Sequence, residues 1–356
     1  MRVQGLRAAA QRSAAGVTIP RALAYLALTA LAVLFLWLTL KVVLVIFAGV
    51  LLAVSLRRTA DHVSRLVGLG PGLALAAVVL LILLFFALAG WLFSRGIASQ
   101  MDQLSRQLPA AVDKLATMIG QSDVGRILNQ HLSTQNIATS PASMIQGFLG
   151  AAINMIEVVG AIIVIVFLGL YFAAEAGLYC HGLLRLVAPA RRARAAQILG
   201  ATADTLWRWM LGRLFAMAVL GSLVTLGLWI IGVPLPIALG LLAAIFTFVP
   251  YLGAFASAVP SVLIAGAMRL DLALYVIVLY LGIHLVEGYV LIPLVQRRVV
   301  HLPPALTLSA QILLGVLAGF LGLLLATPIV AGTLVLVRMI YVEDVLGDRD
   351  NSARDS

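Results

Sequence analysis

Residues 241–330 constrain this chain more than any other stretch. Nearly all of them are apolar enough for a lipid bilayer, yet prolines and glycines interrupt them at intervals, and His284 and Glu287 sit deep inside. In lipid every backbone N–H and C=O has to be satisfied within protein, so a plain anchor is an unbroken helix. Broken helices bearing an ionisable group are tolerated where they are buried in protein or line a cavity, which is how membrane carriers build sites. The pattern predicts an all-α polytopic membrane protein that moves something across the bilayer.

Composition narrows the class. Hydrophobic residues make up 63% of the chain and charged residues 11%, far from the soluble balance. The net charge of +10 comes from basic residues beside apolar spans, which fits the positive-inside rule and argues against nucleic acid. Cys180 is the single cysteine, so no intrachain disulfide framework exists. The N-terminal apolar run continues to Leu56 with only Lys41 interrupting, longer than the h-region of a cleaved signal peptide. No phosphate-binding G-x-x-x-x-G-K-[ST] loop and no nucleophile elbow occurs, so neither ATP hydrolysis nor another enzymatic activity is expected, and no cofactor.

A spanning helix needs about 20 apolar residues. Eight candidates satisfy or approach this: residues 21–40, 42–56, 71–94, 150–174, 212–231, 236–267, 272–295 and 306–340. The sixth is long and broken, the eighth is over-long, and the first two are also compatible with one tilted helix. The organisation expected is an N-terminal segment (1–20), spans one to three (21–94), a polar helical extracytoplasmic domain (95–148), span four (149–174), a basic amphipathic segment (175–211), a core of spans five to eight (212–340) and a tail (341–356). In the basic segment Leu199, Thr202, Leu206, Trp209 and Met210 recur at helical spacing, which predicts a helix packed on the bundle; a surface helix with Trp207 and Trp209 at headgroup level is the alternative. With both termini in the cytoplasm, inside segments hold 17 Lys and Arg and outside segments seven, so that orientation is favoured.

Pro236 and Pro260 are 24 residues apart, as are Pro304 and Pro328, and each pair brackets a Gly-rich apolar stretch. Duplicated broken helices are one reading of this spacing. Pro250, within Phe248-Val249-Pro250-Tyr251-Leu252-Gly253, breaks the sixth span, because proline lacks an N–H and clashes with the carbonyl four residues back. The freed carbonyls there are candidate solute or ion contacts, with Tyr251 and Gly253 beside them. His284 and Glu287 share one helical face at i,i+3. A charge in hydrocarbon costs about 2.5–3.5 kcal/mol on insertion scales, so Glu287 is protonated, paired or facing water. Glu157 and Arg213 are its candidate partners. Two such ligands are too few for a stable metal site. Gly315, Gly319 and Gly322 are spaced for close helix packing, with Gln311 one turn earlier to hydrogen-bond across an interface or line a path.

Three stretches resemble the autoinducer-2 exporter superfamily, also called PerM-type permeases. One is Gly232-Val233-Pro234 followed by LPIALGLLAAIFTFVPYLGAFASAVPSVL. The second is residues 287–293, ending at Pro293, with Arg297-Arg298-Val299-Val300-His301-Leu302. The third is GVLAGFLGLLLATPIVAGTLVLVRMIYVEDVLGD. Gly288 stands where the family often has Asn, and Leu302-Pro303-Pro304 is richer in proline than the usual pattern. The resemblance implies export of a small polar solute of the autoinducer-2 kind, or sodium–proton antiport, by a homo-oligomer with H+ or Na+ as coupling partners. A non-transporting scaffold docking partners through residues 95–148 or 175–211 is the reading from another class.

Overall fold

The computed structural model describes residues 19–120, 155–291 and 302–348. Within them the chain is almost wholly helical, without strands. Helix α1 is Ile19–Val67, α2 Pro71–Gly120, α3 Met155–Ala174, α4 Ala176–Arg185, α5 Arg192–Ile231, α6 Pro236–Thr247, α7 Leu252–Met268, α8 Leu270–Val286 and α9 Pro304–Leu336. A π-helical turn continues α8 over Glu287–Leu291, and another continues α9 over Val337–Val345.

Spans one and two are a single helix. No proline or glycine lies between the two, so nothing stops α1 at Lys41, and its 49 residues run unbroken. It crosses α3 where small residues meet: a Cβ on Gly49 would lie 2.8 Å from the Leu168 Cβ, and Gly169 faces Leu52 in the same way. Span three also continues past its expected end. α2 runs on to Gly120, taking the first part of the polar segment with it; residues 121–154 lie outside the described residues. From Arg192 onward the basic segment is a packed helix: Ile198, Leu206 and Trp209 are buried, and Trp207 donates to the Thr59 hydroxyl (3.3 Å) and stacks on His62.

The sixth and eighth candidates are not crossings. At the sixth, α6 and α7 are each too short to traverse a bilayer, and they fold back on one another. Ala238 and Leu239 at the start of α6 share one buried cluster with Ile264 and Ala265 near the end of α7, so both outer ends lie together. At the eighth, α9 reverses at Gly319, whose φ of 65° and ψ of −144° belong to no helix. Gln311 Nε2 lies 3.3 Å from Thr327 Oγ1, and Gly315 faces the Leu323 side chain, pairings symmetric about Gly319. Five helices among the described residues are long and apolar enough to cross a membrane, six if the bent pair α3–α4 counts as one. The last of the five, Pro304–Val345, qualifies by length alone, since the fold-back divides it.

The two hairpins enter from opposite ends of α5. The outer end of the first packs with Val224 and Leu228 late in α5, and with Leu104 of α2. Gln100 accepts from the Ala238 N–H, and Lys114 donates to the Ala267 carbonyl at 2.6 Å. The outer end of the second lies against Thr202 and Leu206 through Gly332, and Arg194 binds Glu343 (2.7 Å) and Asp344 (3.0 Å) just beyond it. The proline pairs occupy equivalent places: Pro236 and Pro304 open the first arms, and Pro260 and Pro328 lie inside the second arms. Opposed repeats of this kind leave their breaks near mid-membrane.

Candidate functional site: the junction of two hairpin tips

The first tip spans residues 248–251. Proline at 250 cannot donate, and Tyr251 takes φ 65° and ψ −55°, a left-handed value rare for a bulky residue. The Leu252 N–H closes a three-residue γ-turn onto the Pro250 carbonyl at 2.8 Å. Such backbone costs about 1–3 kcal/mol and persists only where its surroundings impose it. Gly253 makes the turn feasible, because a Cβ there would collide with the Phe246 carbonyl. Trp209 packs edge-on against Phe248 at 5.7 Å and holds the tip from the α5 side.

Two side chains bind the tip carbonyls. Arg213 Nε donates to the Phe248 carbonyl at 2.9 Å, and Gln311 Nε2 to the Pro250 carbonyl at 3.2 Å. The second hairpin thus touches the tip of the first. At the tip itself the Phe248 and Pro250 carbonyls are taken by side-chain donors. Glu287 lies between two cationic or polar groups: Oε1 is 3.9 Å from Arg213 Nη1, and Oε2 is 3.5 Å from His284 Nδ1. Both are too long for hydrogen bonds. Arg213 and Glu287 side chains are each 12% exposed, and the Tyr251 hydroxyl is within electrostatic reach of both. Phe255 tilts over His284 at 5.4 Å.

Three buried polar atoms in this region have no hydrogen-bond partner: Arg213 Nη2, His284 Nε2 and Gln311 Oε1. Buried polar groups are normally satisfied, so these three atoms are positioned to bond a polar group that enters the junction. The arrangement offers a donor-rich arginine, an imidazole of either role and an amide oxygen acceptor.

Of the residues singled out in the sequence, Arg213, Pro250, Tyr251, Gly253, His284, Glu287 and Gln311 come together here. Glu157 lies on α3, outside the elements that build the junction; only its backbone is described. Pro293 lies outside the described residues. Pro234 sits at the far, outer end of the first hairpin, lining a small cavity of about 200 Å³ with Lys114 and Met268. Gly315, Gly319 and Gly322 form the turn of the second hairpin, not the packing face of a straight span. Gly319 supplies the positive φ, and Gly322 passes so close to the Leu314 carbonyl that no Cβ fits. Thr327 and Trp209 were not expected at the junction. Neither carried a signal in the sequence beyond helical spacing. No group of three or more His, Cys, Asp or Glu able to hold a metal occurs among the described residues.

A family model described as AI-2E family transporter matches residues 26–341. The chain belongs to the AI-2E transporter family. It is 26% identical over 281 residues to "Putative transport protein YrrI" of Bacillus subtilis (strain 168), covering 74% of this chain and 77% of that one. It is 26% identical over 197 residues to "Putative transport protein YueF" of the same organism, 55% and 53% of the two chains. A Mycobacterium tuberculosis relative, "Putative transport protein MT0215", is 37% identical over 106 residues, 30% of this chain and 29% of its own. This AI-2E member is therefore a multi-pass membrane protein of a transporter family.

Proposed function

We propose that this AI-2E member carries a small polar solute, of the autoinducer-2 kind, out of a bacterial cell across the inner membrane, drawing on an ion gradient. The Arg194 side and the C-terminal tail face the cytoplasm in this reading, five crossings then putting the start of α1 on the other face against the expectation for both termini, and the working unit is a homo-oligomer. The junction of the hairpin tips carries the proposal. It gathers Arg213, Glu287, His284 and Gln311 within an apolar chain and leaves three polar atoms without protein partners. A structural network would satisfy its own donors and acceptors. A site awaiting a hydroxylated solute would leave such atoms unpartnered.

A cation–proton antiporter is the second reading, favoured by the 3.5 Å approach of Glu287 to His284, a pair able to exchange a proton. The tip carbonyls weigh against a bare cation bound there, because Arg213 and Gln311 already donate to them.

Proteoliposomes separate the two readings. Wild type loaded with labelled autoinducer-2 is expected to release it faster than empty vesicles when a proton or sodium gradient is imposed. Glu287→Gln is expected to retain solute exchange but lose its response to the gradient. Cation-driven proton flux without solute, abolished in Glu287→Gln, would establish the antiporter instead. Neither flux in folded wild type would remove both.

A further inference from the structure

Helix α4 leaves the bundle in a way the transport site does not explain. The spanning helix α3 ends at Ala174, and Val159–Ala174 and Ala176–Arg185 lie at 78° to each other across Glu175. The Glu175 carbonyl accepts from both Leu178 and Tyr179 N–H, and the Tyr179 ring packs edge-on against Phe172 at 4.8 Å, bracing the elbow. A helix turned nearly at right angles to a spanning helix lies along the membrane plane. No residue of α4 is buried. Leu178, Leu183 and the following Leu186 are 66%, 54% and 85% exposed, as Phe167 and Tyr171 on α3 also are at 60% and 51%. At 100° per residue, Leu178, Tyr179, Leu183 and Leu186 fall on one arc of the helix, with Cys180 and His181 outside it. Arg185 is exposed beside that arc, and Arg191 and Arg192, which follow α4 in the chain, are exposed too, the last donating to the Val187 carbonyl.

We propose that α4 is an interfacial helix seated in the headgroup layer of anionic lipid. Its leucines enter the acyl boundary and its arginines engage lipid phosphates. An exposed apolar arc that follows a lipid-facing span in the chain, with one exposed arginine beside it and two after it, fits a negatively charged membrane surface better than water or an apolar lipid surface alone. Interfacial helices of this composition bury their apolar face about 5–10 Å into that boundary and respond to anionic lipid.

The single cysteine makes the test direct. In a Cys180→Ser background, a nitroxide is placed at position 178, 181 or 183 by Leu178→Cys, His181→Cys or Leu183→Cys. The full-length protein is then put in nanodiscs of phosphatidylcholine, alone or mixed with phosphatidylglycerol. The expected result is a several-fold higher ratio of oxygen to nickel-chelate accessibility at 178 and 183 than at 181, rising further with phosphatidylglycerol. Arg185→Gln with Arg191→Gln should remove the rise and leave circular dichroism unchanged. Equal nickel accessibility at all three positions would overturn the proposal. So would a depth indifferent to phosphatidylglycerol, or labels immobilised and shielded from oxygen, which would place a protein surface over the arc.

Discussion

A guanidinium inside an apolar bundle has five N–H donors to place, and Arg213 places them unevenly. Nε serves the Phe248 carbonyl, Nη1 faces Glu287 at 3.9 Å, and Nη2 has no partner. The charge is tolerated because Glu287 balances it. Removing one member leaves the other uncompensated, at about 3–5 kcal/mol for a buried pair. Arg213→Ala is expected to lower the melting temperature in detergent strongly, and Arg213→Ala with Glu287→Gln should recover part of the loss. Equal losses in the single and double variants would mean that the two charges do not interact. Gln311 makes a subtler case. Gln311→Leu removes the donor to the Pro250 carbonyl and to Thr327. The expected cost is about 1–3 kcal/mol in thermal unfolding, with solute exchange in proteoliposomes reduced because the two tips lose their direct link. Unchanged exchange in a folded Gln311→Leu protein would place the link outside the transport path.

At the scale of elements, the fold-back at Gly319 is the feature that separates this architecture from a plain bundle. Gly315→Cys with Leu323→Cys, in a Cys180→Ser background, is expected to form a disulfide on mild oxidation, because the two positions face each other across the hairpin. In one straight helix residues eight apart are about 12 Å apart along the axis and do not cross-link. Mobility shift on a non-reducing gel reads the outcome. Much of this was legible in the sequence and some was not. The proline spacing marked both repeats, and the His284-x-x-Glu287 face marked the polar residues. Residues 236–267 and 306–340 were also far longer than the roughly 20 a crossing needs, which is the trace of a hairpin in a hydropathy pattern. Hydropathy itself does not distinguish the two, since an arm packed in protein and an arm crossing lipid are equally apolar. The glycines at 315, 319 and 322 match a straight packing face as well as a turn, and only the backbone angles decide. Arg213 meets Phe248 and Glu287 across long stretches of chain, a pairing that helix packing creates and local spacing does not encode.

For the whole molecule, the two hairpins divide the chain into ends that belong on opposite sides of the membrane. The outer end of the first lies with Leu104 and Lys114 of α2; the outer end of the second lies with Thr202 of α5 and leads to the Arg194 ion pairs with Glu343 and Asp344. α5 joins the two ends: its 40 residues make a rod of about 60 Å, longer than a bilayer is thick, so its basic first part projects beyond the lipid. The tips meet against α5 near Trp209 and Arg213, where its basic part gives way to its apolar part. The proposed orientation puts the Arg194 side in the cytoplasm, following the excess of Lys and Arg there. Two exposed positions test the assignment, each in a Cys180→Ser background. Arg106→Cys is expected to react with a membrane-impermeant maleimide on intact cells, and Leu346→Cys only after permeabilisation. The reverse pattern would invert the proposed orientation. Labelling of both on intact cells would mean that the two ends share one side, and the opposed-hairpin architecture would fail with it.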